Sequence, residues 1–491
     1  MRHAIHIFLA GTLSLACGCA ISGSSHKSAK NPADDIRFSG ALAHYAIGIL
    51  NEFHYGPKSK AAIDEYISAA ALDPETHHLY SRAAVIHFQR KETDKAIETF
   101  KLSCEKNPDN PEAWLDLAGI YDTAGRYSDA IDAASKALAL SPSDTVIPIQ
   151  LAKLHIHKGD DKTALKVLHR AMKIEGNRPI LLRFCLVQGN IYLDRGEAKR
   201  AIPYFDMLIQ KTTDKKEQLY NLLGILYESL GYSKEAINNF RMALKSDNPL
   251  AESFVMLAGI LAEEDMQNAL KTLREGGERL PGDPNIISAL GVLYCIDKQN
   301  DAAIKTFEKL RNTSESSTNL SVSFYYYYGA ACEQSGQTEK AEKIFEDGIK
   351  KFPDNHDIMN YLAYLWAEKG TNLDKALVYI NRALTLDPAN PAYMDTLGWI
   401  YYKQKKYSEA LEITLRAGEL MQDDSTIKEH IGDIKMAMGN RDSALEYWKQ
   451  GLLLNPANKN IISRLKSEGI SITDLPLKKI TPAKKDKKHK N

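Results

Sequence analysis

The sequence predicts an all-α solenoid, and three observations carry that prediction. An alanine recurs about every 34 residues along most of the 491-residue chain. Each interval holds two short apolar stripes with helical spacing, and a glycine or proline often ends a stripe. Unrelated domains would not share one period, so a single helix pair is copied many times. The recurring alanines are Ala62, Ala96, Ala130, Ala164, Ala201, Ala236, Ala269, Ala303, Ala341, Ala376, Ala410 and Ala444.

The interval that begins at Pro111 shows the two helices most clearly. Trp114, Ala118 and Tyr121 fall at i, i+4 and i+7 and therefore form one helix face. Gly125 follows, and a glycine at this point can adopt the left-handed conformation that ends a helix. A second face is formed by Ala130, Ala134 and Ala137. Glycine returns at the turn position as Gly159, Gly196, Gly231, Gly336, Gly370 and Gly439.

Small residues on first helices predict close helix packing. Gly224 is one of them, and Phe240 on the following helix is expected to fill the space beside it. Gly189 with Phe205 and Gly291 with Phe307 repeat this combination.

The third interval resembles the tetratricopeptide repeat in the order of Trp114, Leu117, Ala118, Tyr121, Ala130, Ala137 and Pro142. The resemblance recurs from Ala41 to Pro456 and implies a right-handed superhelix of about twelve tandem helix pairs. It also implies that the first helices line a concave groove. We therefore expect a repeat array over residues 39–457. Ile461, Ile462 and Leu465 predict a capping helix over residues 458–470.

The first residues predict an export signal. A basic start and an apolar run over residues 5–16 are typical of a secretory signal, and the run is too short to span a membrane. The segment that ends in Cys17, Gly18 and Cys19 resembles a bacterial lipoprotein signal, which implies lipidation of Cys19, with Cys17 as the alternative. Residues 1–18 would then be the signal and the polar residues 19–38 a flexible tether.

The same resemblance predicts the compartment. Ala20 is not acidic, which in that class favours the outer membrane, with the chain facing the periplasm. The alternative is an ordinary cleaved signal and a soluble secreted or periplasmic protein.

Charge argues against nucleic acid as a partner. The chain has 63 basic and 63 acidic residues, and no basic stripe with interleaved aromatic residues runs along the repeats. Residues 471–491 hold seven lysines and two aspartates and predict a basic disordered tail. The tail is either simply solvated or attracted to an anionic lipid or glycan.

The sequence predicts no catalytic residue, no metal site and no cofactor. It contains no phosphate-binding glycine loop, no His-Glu-x-x-His and no paired Cys-x-x-Cys. The repeats are expected to fill nearly all of the mature chain and to leave no room for a catalytic domain. An enzyme is the weaker alternative.

The repeat resemblance selects a candidate binding surface on the groove side of repeats nine to twelve. Its solvent-facing positions combine aromatic residues with asparagine and carboxylates, which is typical of a peptide-binding or protein-binding surface. The selected residues are Tyr326, Asn360, Tyr364, Asp395, Trp399, Tyr402, Glu429 and Asp433.

These observations predict a lipid-anchored periplasmic scaffold that binds other envelope proteins or peptides and has no catalysis of its own. The segments 360–364, 395–399 and 429–433 resemble a group of long bacterial repeat lipoproteins. Some of that group are adaptors that deliver substrates to periplasmic carboxyl-terminal processing proteases. Assembly of an envelope export machine is a second alternative.

Overall fold

A computed structural model describes residues 32–73, 76, 78–174, 176–212, 216–312 and 320–472. Within these ranges the chain forms 25 helices and no strand. The helices group into two compact units, residues 1–215 and residues 216–491, which we describe separately. The predicted all-α fold of stacked helix pairs is confirmed.

The first unit contains five helix pairs, in which the first helix of each pair packs against the second. The pairs are α1 (Pro32–Tyr55) with α2 (Lys60–Leu72), α3 (His78–Gln89) with α4 (Thr93–Lys106), α5 (Pro111–Thr123) with α6 (Tyr127–Leu140), α7 (Ile147–His157) with α8 (Asp161–Ala171), and α9 (Arg178–Asp194) with α10 (Ala198–Lys211).

The second unit contains seven further pairs and one final helix, α25 (Lys459–Ser467). The pairs are α11 (Lys216–Ser229) with α12 (Ser233–Ala243), α13 (Ala251–Ala262) with α14 (Met266–Arg279), α15 (Pro284–Ile296) with α16 (Asn300–Asn312), α17 (Val322–Gln334) with α18 (Thr338–Lys351), α19 (His356–Lys369) with α20 (Leu373–Leu386), α21 (Pro391–Lys403) with α22 (Tyr407–Leu420), and α23 (Ser425–Ala437) with α24 (Arg441–Leu454).

Local chemistry defines where these helices begin and end. The Asp424 carboxylate accepts hydrogen bonds from the backbone N–H groups of Thr426 and Ile427, at 2.8 and 2.9 Å, and so caps α23. Gly125 ends the turn after α5 with φ at +72°, a conformation that side chains disfavour. The other six turn glycines predicted from the sequence also have positive φ, which confirms their role.

The core consists of contacts between neighbouring helices, and the alanine period marks its tightest points. All twelve recurring alanines have no solvent exposure. Glycine allows even closer packing: a Cβ atom on Gly224 would lie 2.6 Å from the Phe240 ring, well inside van der Waals contact. Gly189 and Gly291 meet Phe205 and Phe307 in the same way, as predicted.

The ends of the described chain correct one boundary. Helix α1 begins at Pro32, so residues 32–38 are helical and the predicted tether over residues 19–38 is wrong for them. Helix α25 lies within the predicted cap and buries Ile461 and Leu465. The signal with Cys17 and Cys19 and the basic residues from 473 onward lie outside the described residues. No helix in the described ranges combines the length and apolar character needed to cross a membrane.

Candidate functional site

The eight predicted groove residues lie on four successive first helices of the second unit. Tyr326 is on α17, and the α19 helix carries Asn360 and Tyr364. Glu429 and Asp433 are on α23. The remaining three, Asp395, Trp399 and Tyr402, are on α21.

The expectation that all eight face solvent is wrong for four of them. Asp395, Trp399, Glu429 and Asp433 are each less than 10% exposed. His430 of α23 lies against Asp395 and Trp399, and Arg464 of α25 lies against Glu429 and Asp433. These residues therefore support the surface from beneath, and they are not open contact positions.

Trp399 is the centre of an aromatic stack. Its ring lies parallel to His430, with 4.0 Å between ring centres, and parallel to Tyr402, with 4.6 Å between centres. The indole Nε1–H donates to the Glu368 carboxylate at 2.5 Å. Stacking on two aromatic neighbours and a hydrogen bond hold this side chain in one orientation.

His430 is a structural partner that the sequence reasoning did not select. Its Nδ1–H donates to both oxygens of Asp395, at 2.9 and 3.0 Å, in a buried setting. Burial lowers the pKa of the imidazole, but the negative charge and hydrogen bond of Asp395, with Asp433 and Glu429 nearby, outweigh burial and raise it. The sequence contains one signal for this pairing, because His430 lies one repeat length after Asp395 and next to Glu429.

Arg464 of α25 closes the end of the site. Its guanidinium donates to Glu429 and to Asp433, each at 2.5 Å. Asp433 also accepts from Trp448 Nε1 at 2.9 Å. Burial nevertheless raises the pKa of Asp433 to about 6, against the opposing effects of Arg464 and His430.

Four of the predicted residues remain partly exposed: Tyr326, Asn360, Tyr364 and Tyr402. Burial raises the pKa of the Tyr364 phenol, and four carboxylates raise it further. Each of them comes from a different first helix: Glu368, Asp395, Glu429 and Glu333. The Asn360 side-chain oxygen is buried and has no hydrogen-bond partner among the described residues.

This arrangement is suited to binding. Tyrosine offers a large apolar ring with a polar tip, which is why it is common where proteins meet. Tyr364 and Asn360 lie one turn apart on the same face of α19, with the Asn360 amide oxygen buried beneath the surface. Within the described ranges no group of three or more His, Cys, Asp or Glu side chains is placed to hold a metal ion.

Comparison with known proteins bears on the identity of the repeats. Profiles described as tetratricopeptide repeat match residues 58–111, 123–185, 217–249 and 322–365. The chain carries tetratricopeptide repeats. Proteins built from tetratricopeptide repeats mediate protein–protein interactions as scaffolds.

Relatives with tetratricopeptide repeats are similar over parts of the chain. TPR repeat-containing protein PA4667 of Pseudomonas aeruginosa is 26% identical over 202 residues, which cover 40% of this chain and 33% of that protein. Type IV pilus assembly protein PilF of the same organism is 26% identical over 171 residues, covering 34% of this chain and 64% of PilF. Yeast Tom70, a solved structure, has 15% identity and a TM-score of 0.35, covering 81% of this chain and 95% of Tom70.

The chain spans only part of the relatives that it matches. The matched segments cover 33% of PA4667 and 64% of PilF.

Proposed function

We propose that the protein is a lipid-anchored periplasmic scaffold that binds an envelope protein or peptide at the first helices of repeats nine to twelve. One observation carries the choice of surface. Tyr326, Tyr364 and Tyr402 are partly exposed on α17, α19 and α21, so three successive repeats each have a partly exposed tyrosine at a predicted groove position. Aromatic anchors of this kind contribute much of the binding energy at protein interfaces.

The buried residues beneath this surface support the proposal. Trp399 is held by His430 and Glu368, and the stacked Tyr402 ring is oriented with it. Side chains that are ordered before binding lose less conformational entropy when a partner arrives. A tyrosine surface that is ordered before binding therefore supports a role in recognition better than exposure of the tyrosines alone.

The polar groups restrict what such a partner offers. The carboxylates around Tyr364 favour a donor or a cation at that point of the partner over an anion. A peptide segment with a lysine or arginine beside an apolar residue fits these requirements.

The envelope location rests on the sequence. The apolar run before Cys19 is typical of a lipoprotein signal, and three acyl chains on Cys19 would exceed the weak binding that one chain provides. Outer-membrane placement follows from the absence of an acidic residue at Ala20.

A second candidate function is assembly of an envelope export machine. The similarity to the pilus assembly protein PilF favours it, over 34% of this chain. The role of an adaptor for a periplasmic carboxyl-terminal processing protease rests on the resemblance of segments 360–364, 395–399 and 429–433 to long repeat lipoproteins. An enzyme remains the weakest of the alternatives.

The binding surface is tested by capture from envelope extract with residues 20–491, a form without lipid. Tyr364→Ala and Tyr402→Ala together are expected to lose the captured partner. Tyr401→Ala is the matched control, because Tyr401 is on the same helix and partly buried, with Lys406 5.7 Å from its ring. Equal capture by the double variant and the control would reject this surface.

The anchor is tested by acyl labelling in a bacterial host that processes lipoproteins. Cys19→Ala is expected to abolish labelling, and Cys17→Ala is expected to retain it. The reverse pattern would move the lipid to Cys17. Absence of label in the unmodified chain would reject the lipoprotein assignment and leave the partner surface to its own test.

A further inference from the structure

We propose that a cleft between α12 and α14 binds a carboxylate that carries a branched apolar side chain, such as the C-terminal leucine of a peptide. The cleft lies on the second helices of repeats six and seven. Its residues belong neither to the lipid anchor nor to the surface of repeats nine to twelve, so this proposal is independent of both.

Three consecutive helices form the cleft. Arg241 lies on α12 and Lys245 just beyond its end, and together they form one wall. Lys271 and Glu275 lie one turn apart on α14 and form the opposite wall. The cleft therefore has a charged rim over an apolar floor. The floor consists of leucines, of which the two on α13 are buried: Leu244, Leu257 and Leu261.

A contact at one end fixes the shape of the cleft. The Arg279 guanidinium of α14 donates to the backbone carbonyls of Leu244 and Ser246, each at 2.5 Å. This side chain thus ties the turn after α12 to α14. A site whose walls are already held in place loses less entropy when a ligand binds.

The charges of the rim favour an anion. Arg241, Lys245 and Lys271 are exposed, and within the part of the chain that the structure describes none of them forms an ion pair. Glu275 is the single acidic residue among the described lining residues, and it pairs with none of the three. Three cations against one carboxylate leave a positive rim, which attracts a negatively charged ligand.

The corresponding cleft between α22 and α24 lacks this charge. Leu415 and Glu419 hold the repeat positions that Arg241 and Lys245 hold on the α12 side. Its described lining has one lysine and two acidic residues. The repeat geometry therefore supplies such a cleft, whereas the positive rim comes from the particular sequence of repeats six and seven.

The size and the lining indicate which anion fits. The cleft has a volume of about 270 Å³, just below the roughly 300–1,000 Å³ of pockets that enclose a drug-sized ligand. No aromatic side chain is among its described lining residues, so a nucleotide base has no stacking partner there. The guanidinium of Arg241 suits the two oxygens of a carboxylate.

A carboxylate beside a branched apolar side chain meets both requirements of the cleft. The acid contacts the rim, and the side chain contacts the leucine floor. A peptide that ends in leucine and a free N-acylated leucine share this chemistry, and the first test distinguishes them.

The first test measures ligand binding to residues 20–491 by saturation-transfer NMR, which detects weak ligands. The probes are N-acetyl-leucine and the peptide Gly-Ser-Gly-Ser-Leu with a free C-terminus. Both are expected to bind, and their amides are expected to bind about 10-fold more weakly, because an amide has no charge for the rim. Tighter binding of the peptide supports a protein C-terminus as the ligand, and equal binding supports a free acid.

Three outcomes of this test contradict the proposal. One is equal binding of the acids and their amides, and another is no binding of either acid at about 10 mM. The third is displacement of N-acetyl-leucine by an equal concentration of inorganic phosphate, because that result would assign no role to the leucine floor.

The second test locates the site with variants of exposed residues, each checked for folding by circular dichroism. Lys271→Gln is expected to weaken the binding of N-acetyl-leucine about 10-fold, because a charged hydrogen-bond donor is lost. Lys305→Gln is the matched control, since Lys305 has the same repeat position on α16 and does not line the cleft. Glu275→Gln is expected to strengthen binding about threefold, because it removes the negative charge of the rim. Unchanged binding by Lys271→Gln, or weaker binding by Glu275→Gln, would reject this cleft as the site.

Discussion

Replacement of Asp433 by asparagine is expected to stabilise the protein at neutral pH, although the change removes one partner of Arg464. Asp433 is buried, and burial raises the pKa of its carboxyl from the ordinary value of 3.8 to about 6. The attraction of Arg464 at 2.5 Å is thus too weak to offset the cost of removing the charge from water. Asparagine keeps the shape and the acceptor for Trp448 without that charge.

The sign follows from proton binding. The folded state holds the Asp433 proton up to about pH 6, whereas the unfolded chain releases it near pH 4. The folded state therefore binds more protons in this range, and the free energy of unfolding falls as the pH rises through it. The shift corresponds to about 3 kcal/mol, at about 1.4 kcal/mol for each pKa unit. His430 adds to the same trend, because its pKa is also raised and its contribution is lost at higher pH.

Urea unfolding of the two proteins between pH 4 and pH 7.5, followed by tryptophan fluorescence, measures this effect. Titrating groups that do not interact with Asp433 cancel in the difference between Asp433→Asn and the unmodified chain. His430 does not cancel, because the charge of Asp433 helps to raise its pKa. The difference is expected to be smallest at pH 4 and to approach 3 kcal/mol by pH 7. A variant that is less stable than the unmodified chain at pH 7 would show that the Arg464 pair outweighs burial, and the reasoning would be wrong.

Three further substitutions, two of them with a matched control variant, test the packing described above. Arg464→Ala is expected to destabilise the last helices by about 3 kcal/mol, because two buried carboxylates lose their cation, whereas Arg441→Ala, at an exposed ion pair, is expected to cost less than about 1 kcal/mol. Hydrogen exchange of α25 measures both. Gly224→Ala is expected to destabilise by about 1–2 kcal/mol through the clash with the facing ring, and Gly277→Ala, where a Cβ atom meets nothing within 4 Å, is expected to be neutral or stabilising. Thermal melts distinguish the two glycine variants. Trp399→Ala is expected to cost about 3–5 kcal/mol in urea unfolding because the side chain is only 4% exposed.

The fold was predictable from the sequence because its determinants are local and repeated. Ala130 and Gly125 act within one helix pair, and each has its equivalent about 34 residues away. Their roles in packing and in the turn depend on size and backbone freedom alone. One clear interval was therefore sufficient to predict the others.

The site was predictable only in part, because burial depends on side chains from the next repeat. The repeat pattern correctly predicted that Asp395 and Trp399 lie on the first helix of their repeat. It could not show that His430 of the next repeat covers both side chains. Arg464 belongs to the final helix, where the repeat pattern no longer applies. Its contact with Glu429 and Asp433 required the position of α25 against α23.

In the last repeats, four side-chain hydrogen bonds between first helices run toward the N-terminus. Tyr361 donates back to Glu333, Trp399 to Glu368, His430 to Asp395 and Arg464 to Glu429, each reaching the preceding first helix. The repeats share one backbone fold, but the hydrogen-bonding side chains of each first helix match only the first helix that precedes it. Deletion of the eleventh repeat by recombination would set His430 against Asn360, the residue of α19 at the register of Asp395, and the buried imidazole would lose its carboxylate. Changes in repeat number at this end of the gene are therefore expected to be selected against, even though the helices would still stack.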